Sequence, residues 1–284
     1  MKRTTIIGTI LIATMTGAES SCVNIGTEEE KPVITVTIEP LRYFTEEIAG
    51  EKFDVVTIVP KGSDPETYEP TARQMAALQR SELLIEIGDL GFERTWLNRM
   101  HGEAQHLIII NTSENIVRVS REGSADPHTW MSTTNALTIA DNIYKALKRI
   151  DMKDSLYFKD RLLTLRRTIM DTEIAINEKL DSIKSRTFII YHPALTYFAN
   201  DYGLRQLAIE EGGHEPTAAS MGQLIEEARK DKARVMLVQQ EYGSRSTATI
   251  EKETGTKRAT INPLNYNWNE EMRSIADKLA NNAE

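Results

Sequence analysis

At 284 residues the chain is long enough for two lobes, each with its own core. Apolar residues make up 40% and charged residues 27%, the balance of an ordinary soluble globular protein. A formal charge of -8 excludes a nucleic-acid partner, which needs a basic face, and suits a protein that handles cations.

Residues 1–21 read as an export signal. Lys2 and Arg3 form a basic start, and the apolar run 6–15 is too short to span a bilayer. Cys22, the only cysteine, follows Ser20 and Ser21, as in a bacterial lipoprotein cleavage box, although Glu19 stands where that box usually has Leu. An exported lone cysteine has no disulfide partner in its own chain, so lipidation at Cys22 is expected. A plain secretory signal with an incidental cysteine is the alternative. Residues 22–32 read as a polar tether.

From residue 33 apolar strands alternate with amphipathic helices. Strands are expected at 33–38, 55–59, 83–87 and 107–110. Helices are expected at 41–49, stopped by Gly50, at 71–80 with Thr71 as N-cap, and at 92–100. This order predicts an α/β lobe over 33–131. Residues 132–185 then show no strand signal. Phe158, Leu162, Leu165, Ile169, Ile176, Leu180 and Ile183 form one helical stripe. A helix over 153–184 is expected as a stiff strut about 48 Å long; a coiled-coil dimer arm is the other reading of that stripe. The alternation resumes in a second lobe, 186–284. Its strands are expected at 187–191, 207–209, 235–238 and 258–261, its helices at 193–201, 218–230, 246–254 and 268–280.

Glu66, His128, His192 and Asn262 each lie in a loop after an apolar strand. Open α/β sheets bind ligands outside the carboxyl ends of their strands. Two of these loops belong to each lobe, so a cleft between the lobes would collect all four. Two imidazoles and a carboxylate are a common set for a divalent transition metal. Pro65, Pro127, Pro193 and Pro263 each flank a candidate and restrict the loop that carries it. The candidates are too far apart in sequence for spacing alone to decide. Gln239, Glu241 and His214 are further candidates on neighbouring loops.

Five stretches share a pattern with one family: "VPKGSDPETYEPT" (59–71), "DPHTWMS" (126–132), "YHPALTYFANDYGL" (191–204), "IEEGGHEPTAASMGQLIEEAR" (209–229) and "ETGTKRATINPL" (253–264). From about residue 33 to its end the chain resembles the solute-binding proteins of bacterial zinc and manganese ABC importers, the TroA-like, cluster A-I family. The resemblance implies two α/β lobes with parallel sheets, bridged by one long rigid helix, with a single metal ion in the cleft. His128 and His192 match family ligands. Glu66 stands where the family has its first His, and Asn262 where it often has Asp. The histidine-rich insertion of many zinc members, expected ahead of Asp126, is missing from this sequence.

The function so implied is an extracytoplasmic carrier and not an enzyme. It captures one Zn2+ per chain, with Mn2+ or Fe2+ as alternatives, and delivers it to a membrane permease. The chain is expected to be a monomer held at the periplasmic face or cell surface by its lipid anchor. A surface adhesin on the same scaffold is the second reading. A metal-dependent hydrolase is the third; it would need a general base near the metal, and no HExxH-type helix is present.

Overall fold

The computed structural model describes residues 31–97, 107–121, 124–210, 212–239 and 245–282. The N-terminal lobe runs β1 (Val33–Val36), α1 (Glu39–Ala49), β2 (Asp54–Thr57), α2 (Ala72–Leu78), β3 (Ser81–Glu86) and β4 (Ile108–Asn111). Its strands are parallel in the order β2-β1-β3-β4. The central strands are covered on both faces. Ile34, Val36, Leu83, Leu84 and Ile85 are fully buried, and the hydroxyl of the buried Thr35 is satisfied by Ser81 at 2.6 Å. A short antiparallel ribbon of β5 (Ser120–Arg121) and β6 (Ser124–Ala125), absent from the sequence reading, follows.

Two helices connect the lobes, α3 (Thr133–Ile150) and α4 (Ser155–Leu180). α4 is shorter than the expected 153–184, 26 residues or about 39 Å. It is separated from α3 where the Asp151 carboxylate accepts the backbone N–H groups of Lys153 and Asp154 at 3.1 and 3.3 Å. A side chain that bonds the backbone two residues on competes with the helix, and it ends α3 without glycine or proline. The expected stripe, Phe158 to Leu180, is buried against α1, α3 and the final helix, so it is core and not a dimer seam. Gly50 ends α1 at φ 59, a left-handed conformation that favours glycine.

The C-terminal lobe runs β7 (Thr187–Ile190), α5 (Thr196–Asp201), β8 (Arg205–Ala208), α6 (Ala218–Lys230), β9 (Val235–Gln239), α7 (Arg245–Thr254), β10 (Lys257–Ile261) and α8 (Trp268–Asn282). Its parallel sheet has the order β10-β9-β7-β8. Two four-stranded parallel sheets bridged by a long helix are the architecture the sequence implied. Both lie in one compact unit, Lys31–Glu284. A single buried cluster runs from Ile34 and Phe44 through Phe158 and Leu165 to Trp268 and Ile275, so the lobes share a core along α4. A smaller cluster, including Ile189, Ile209 and Val238, packs the other face of the second sheet.

The segment expected as helix 92–100 opens helical at Gly91 and Phe92 and passes into a short π-type turn, Glu93–Leu97; residues 98–100 lie outside the described residues. The reason is Glu93. Its buried carboxylate turns back to accept the N–H groups of Ile87, Gly88 and Leu90 at 3.0, 2.7 and 3.1 Å, which fixes the loop after β3. Glu86, on the preceding strand, is pushed up to about 8, chiefly by burial and then by the charges of Glu93 and Asp89. Its folded state therefore holds a proton that the unfolded chain gives up near 4.5. The stability this contributes is complete below that pH and is lost as pH rises through about 8. Glu86→Gln should raise stability by on the order of 1–3 kcal/mol near pH 9 and leave it unchanged near pH 4, read from thermal melts at both pH values.

Candidate metal centre

Three strand-end loops meet in the cleft. The first, after β2, carries Glu66. Asp64 shapes it by accepting the Glu66 N–H at 2.9 Å, and Thr71 ends it by opening α2 with a reciprocal capping box to Gln74. The second carries His128 ahead of Ser132, the N-cap of α3. The third carries His192 directly after β7. Gln239, the last residue of β9, holds this third loop at two points: its Oε1 accepts the His192 N–H at 3.2 Å, and its Nε2 donates to the His192 carbonyl at 2.6 Å.

The two imidazoles face one another, with Nε2 of His128 3.2 Å from Nε2 of His192. Each ring is oriented from behind by a carboxylate. Asp126 Oδ1 lies 2.9 Å from Nδ1 of His128 and also accepts the His128 N–H at 2.9 Å. Both oxygens of Glu210 lie 3.2 Å from Nδ1 of His192. Burial works to raise Asp126, but the hydrogen bonds and nearby ring of His128 outweigh it and hold this acid down to about 2. Asp126 is therefore an acceptor, and a carboxylate facing Nδ1 fixes the tautomer that has its proton there. When Nδ1 carries the proton on both rings, the two Nε2 atoms, 3.2 Å apart, are both free to act as ligands. That arrangement asks for a Lewis acid between or beside them.

Glu66 lines the same small cavity of about 30 Å³, together with Asp64, Trp130, Gln239, Pro263 and Leu264. Its Oε2 accepts the Gly91 N–H at 3.0 Å, while its Oε1 is buried without a partner. An unpaired buried carboxylate oxygen is costly, and a cation is what satisfies it. Among the described residues no three His, Cys, Asp or Glu side chains already stand in coordinating array. Gly91 makes that loop possible, because a Cβ there would meet the Glu66 carbonyl oxygen at 2.1 Å. Gly91→Ala should displace Glu66, weaken metal binding about tenfold or more and lower the melting temperature; parallel Zn2+ titration and calorimetry would check both.

Asn262 lies elsewhere. It lines a separate cavity of about 260 Å³ with Glu39, Lys61 and Tyr266. Its Oδ1 accepts the Leu264 N–H at 3.1 Å, and its own N–H donates to Glu271 at 2.8 Å. His214 is exposed and lines none of these cavities. Glu241 and Cys22 lie outside the described residues. The sequence reading missed Asp126 and Glu210 as the groups that orient the imidazoles. The signals were there: an Asp two residues before a His, and an acid just past β8 on the same sheet edge. A wider cavity of about 390 Å³, lined by Asp64, Glu66, Arg94, Asp126, Glu210 and both histidines, leads to the site.

The cleft is held together beside this centre. Trp130 is fully buried, and its Nε1 donates to the Pro263 carbonyl at 2.8 Å. Trp268 Nε1 donates back to the Trp130 carbonyl at 2.7 Å. The Tyr197 hydroxyl donates to the Asp126 carbonyl at 2.9 Å. The loop bearing His128 is thus tied to the second lobe on both sides of the histidine.

The chain is similar to known proteins along most of its length. The family described as "Zinc-uptake complex component A periplasmic", ZnuA, matches residues 34–282. A crystal structure of ZnuA is 32% identical, with a TM-score of 0.85 over 89% of this chain and 100% of that one. A putative metal-binding protein of Treponema pallidum is 26% identical over 90% of this chain and 86% of its own length. The zinc-binding lipoprotein AdcA of Streptococcus pneumoniae is 25% identical over 86% of this chain, which spans only 52% of that longer relative. A match over residues 34–282, through both lobes, makes this chain a member of the ZnuA family of periplasmic zinc-uptake components.

Proposed function

We propose that the chain is an extracytoplasmic solute-binding protein that captures one divalent transition-metal ion and delivers it to an ABC importer. Zn2+ is the first choice of cargo and Mn2+ the second. The observation that carries this reading is the pair of Nε2 atoms 3.2 Å apart, each imidazole with a carboxylate at its Nδ1. The outer carboxylate also raises the basicity of the ligating nitrogen, as in other metal-bound histidines. His128, His192 and Glu66 are the proposed ligands, and a cavity of about 30 Å³ suits one ion. All three proposed ligands come from one chain, so a single chain suffices for capture. The lobes are assigned as 33–131 and 186–284, with 132–185 linking them.

Residues 1–21 are proposed to be removed on export and Cys22 to be lipidated, in keeping with a relative named as a lipoprotein. Among the described residues no helix is long and apolar enough to cross a membrane. The role is transport without turnover; the site offers ligands and orienting groups, and the family is named for uptake.

Elemental analysis of the purified protein, with competition titrations among Zn2+, Mn2+ and Fe2+, tests the proposal. One tightly held Zn2+ per chain is expected; no metal retained and no measurable affinity would overturn it. Asn262 would reach a fourth position only by leaving its bond to Leu264, and Gln239, Glu241 or a water is the alternative. If Asn262 is a ligand, Asn262→Asp should tighten both ions and Mn2+ more, since a carboxylate suits the harder cation. Unchanged affinities and an unchanged Zn2+/Mn2+ ratio would move the assignment to Gln239 or water.

A further inference from the structure

The long helix α4 has a second apolar face that the carrier function does not use. Leu156, Leu163, Met170 and Ile174 are 76, 44, 52 and 56% exposed. At 100° per residue they fall within about 40° of arc, about 140° round from the centre of the buried stripe. Their spacing of seven, seven and four is that of a helix seam built to meet another helix. Among the described residues these four side chains stay exposed, while the main neighbours of α4, namely α1, α3 and α8, pack on its buried stripe.

The charges beside the seam are unevenly distributed. Lys159, Asp160 and Arg167 flank its N-terminal half, and Asp171, Glu173 and Glu178 its C-terminal half. The first set is net positive and the second wholly negative. Arg166 and Lys179 are engaged with Asp141 and Asp277. A lipid surface would want basic residues along the whole face, and the net charge here is acidic. A second helix of the same sequence running antiparallel fits better. It lays Leu156 near Ile174 of the other copy and Lys159 near Asp171 and Glu173, whereas a parallel pairing stacks the acidic halves on each other.

We propose that this face is a self-association surface on which two copies of the chain pair their α4 helices antiparallel about a twofold axis near Leu163 and Arg167. Four exposed side chains make a small interface, so the dimer is weak and reversible. It leaves both metal sites intact on the far side of each helix's buried face, and it modifies the expectation of a strict monomer.

Thiol cross-linking of the full chain with a short bismaleimide tests this, with the parent chain as control for Cys22. The Leu163→Cys variant should form a covalent dimer, whereas a Val117→Cys variant, exposed but off the helix, should not. Leu156→Cys should cross-link to Ile174→Cys in a mixture of the two, and not to itself. Adding Met170→Glu to Leu163→Cys should cut cross-linking at least about tenfold while Zn2+ affinity, the check on folding, stays unchanged. Leu163→Cys cross-linking no better than Val117→Cys would overturn the proposal. So would self-cross-linking of Leu156→Cys, which marks a parallel pair. Loss of phosphatidylglycerol-vesicle binding on Met170→Glu without any dimer would mark a lipid face instead and would equally overturn it.

Discussion

Replacing His192 with alanine is expected to weaken Zn2+ binding at least about a hundredfold, because it removes a ligand and not merely its support. The same holds for His128→Ala. Variants of the orienting carboxylates should fall between these and the parent. Asp126→Asn and Glu210→Gln each keep the shape but lose the charge that fixes the tautomer, and about 10- to 100-fold is expected. This graded order distinguishes a ligand pair from two histidines that merely pack in a cleft. Chelator competition measures it. Equal affinities for His192→Ala and the parent would put the site elsewhere.

Acid should release the metal by protonating imidazole nitrogen, since protons and metal compete for the same lone pair. Asp126 takes no part in that step. Its folded value is lowered from 3.8 to about 2, so its contribution to stability is present above the unfolded value and is lost only as pH falls through about 2. Metal loss is therefore expected at higher pH than the loss of Asp126's own contribution to stability.

The second large effect is on stability. Trp130→Ala empties a fully buried site beside His128, leaves the Pro263 carbonyl without its donor and removes a wall of the metal cavity. A loss of about 3–5 kcal/mol is expected from the cavity, with roughly a further 1–3 kcal/mol if the carbonyl stays dry. Trp130→Phe should recover the packing share but not the hydrogen bond. Urea melts on metal-free protein separate this from the binding effect, because bound ion adds its own stabilisation to the folded state.

The architecture was legible because the strands are short β-branched runs and the helices carry clear caps. The Thr71 cap stands as expected, closed by Gln74 three residues on. The failures share a cause: side chains that turn back on the backbone at long or awkward range. Asp151 interrupts the long helical stretch by capturing two N–H groups, and Glu93 converts an expected helix start into a π-type turn by capturing three. Neither is visible to periodicity.

The site was legible as a list of strand-end loops, and the two histidines do meet. What spacing does not encode is which face of each loop is presented. Asn262, on the expected sheet edge, spends its amide oxygen on a local turn and lines the neighbouring cavity. Gln239, on the same edge, points into the histidine cavity and clamps its backbone. The exposed seam of α4 escaped notice because the buried stripe on the same helix already satisfied the helical pattern.

X-ray absorption at the zinc edge of the metal-loaded full chain tests the central claim most directly. The centre described here predicts two imidazole nitrogens at about 2.0–2.1 Å and one or two oxygens at about 2.0–2.2 Å, with no sulfur. The imidazole signal should halve in His128→Ala and in His192→Ala. A shell of oxygens alone, unchanged by either substitution, would contradict the account.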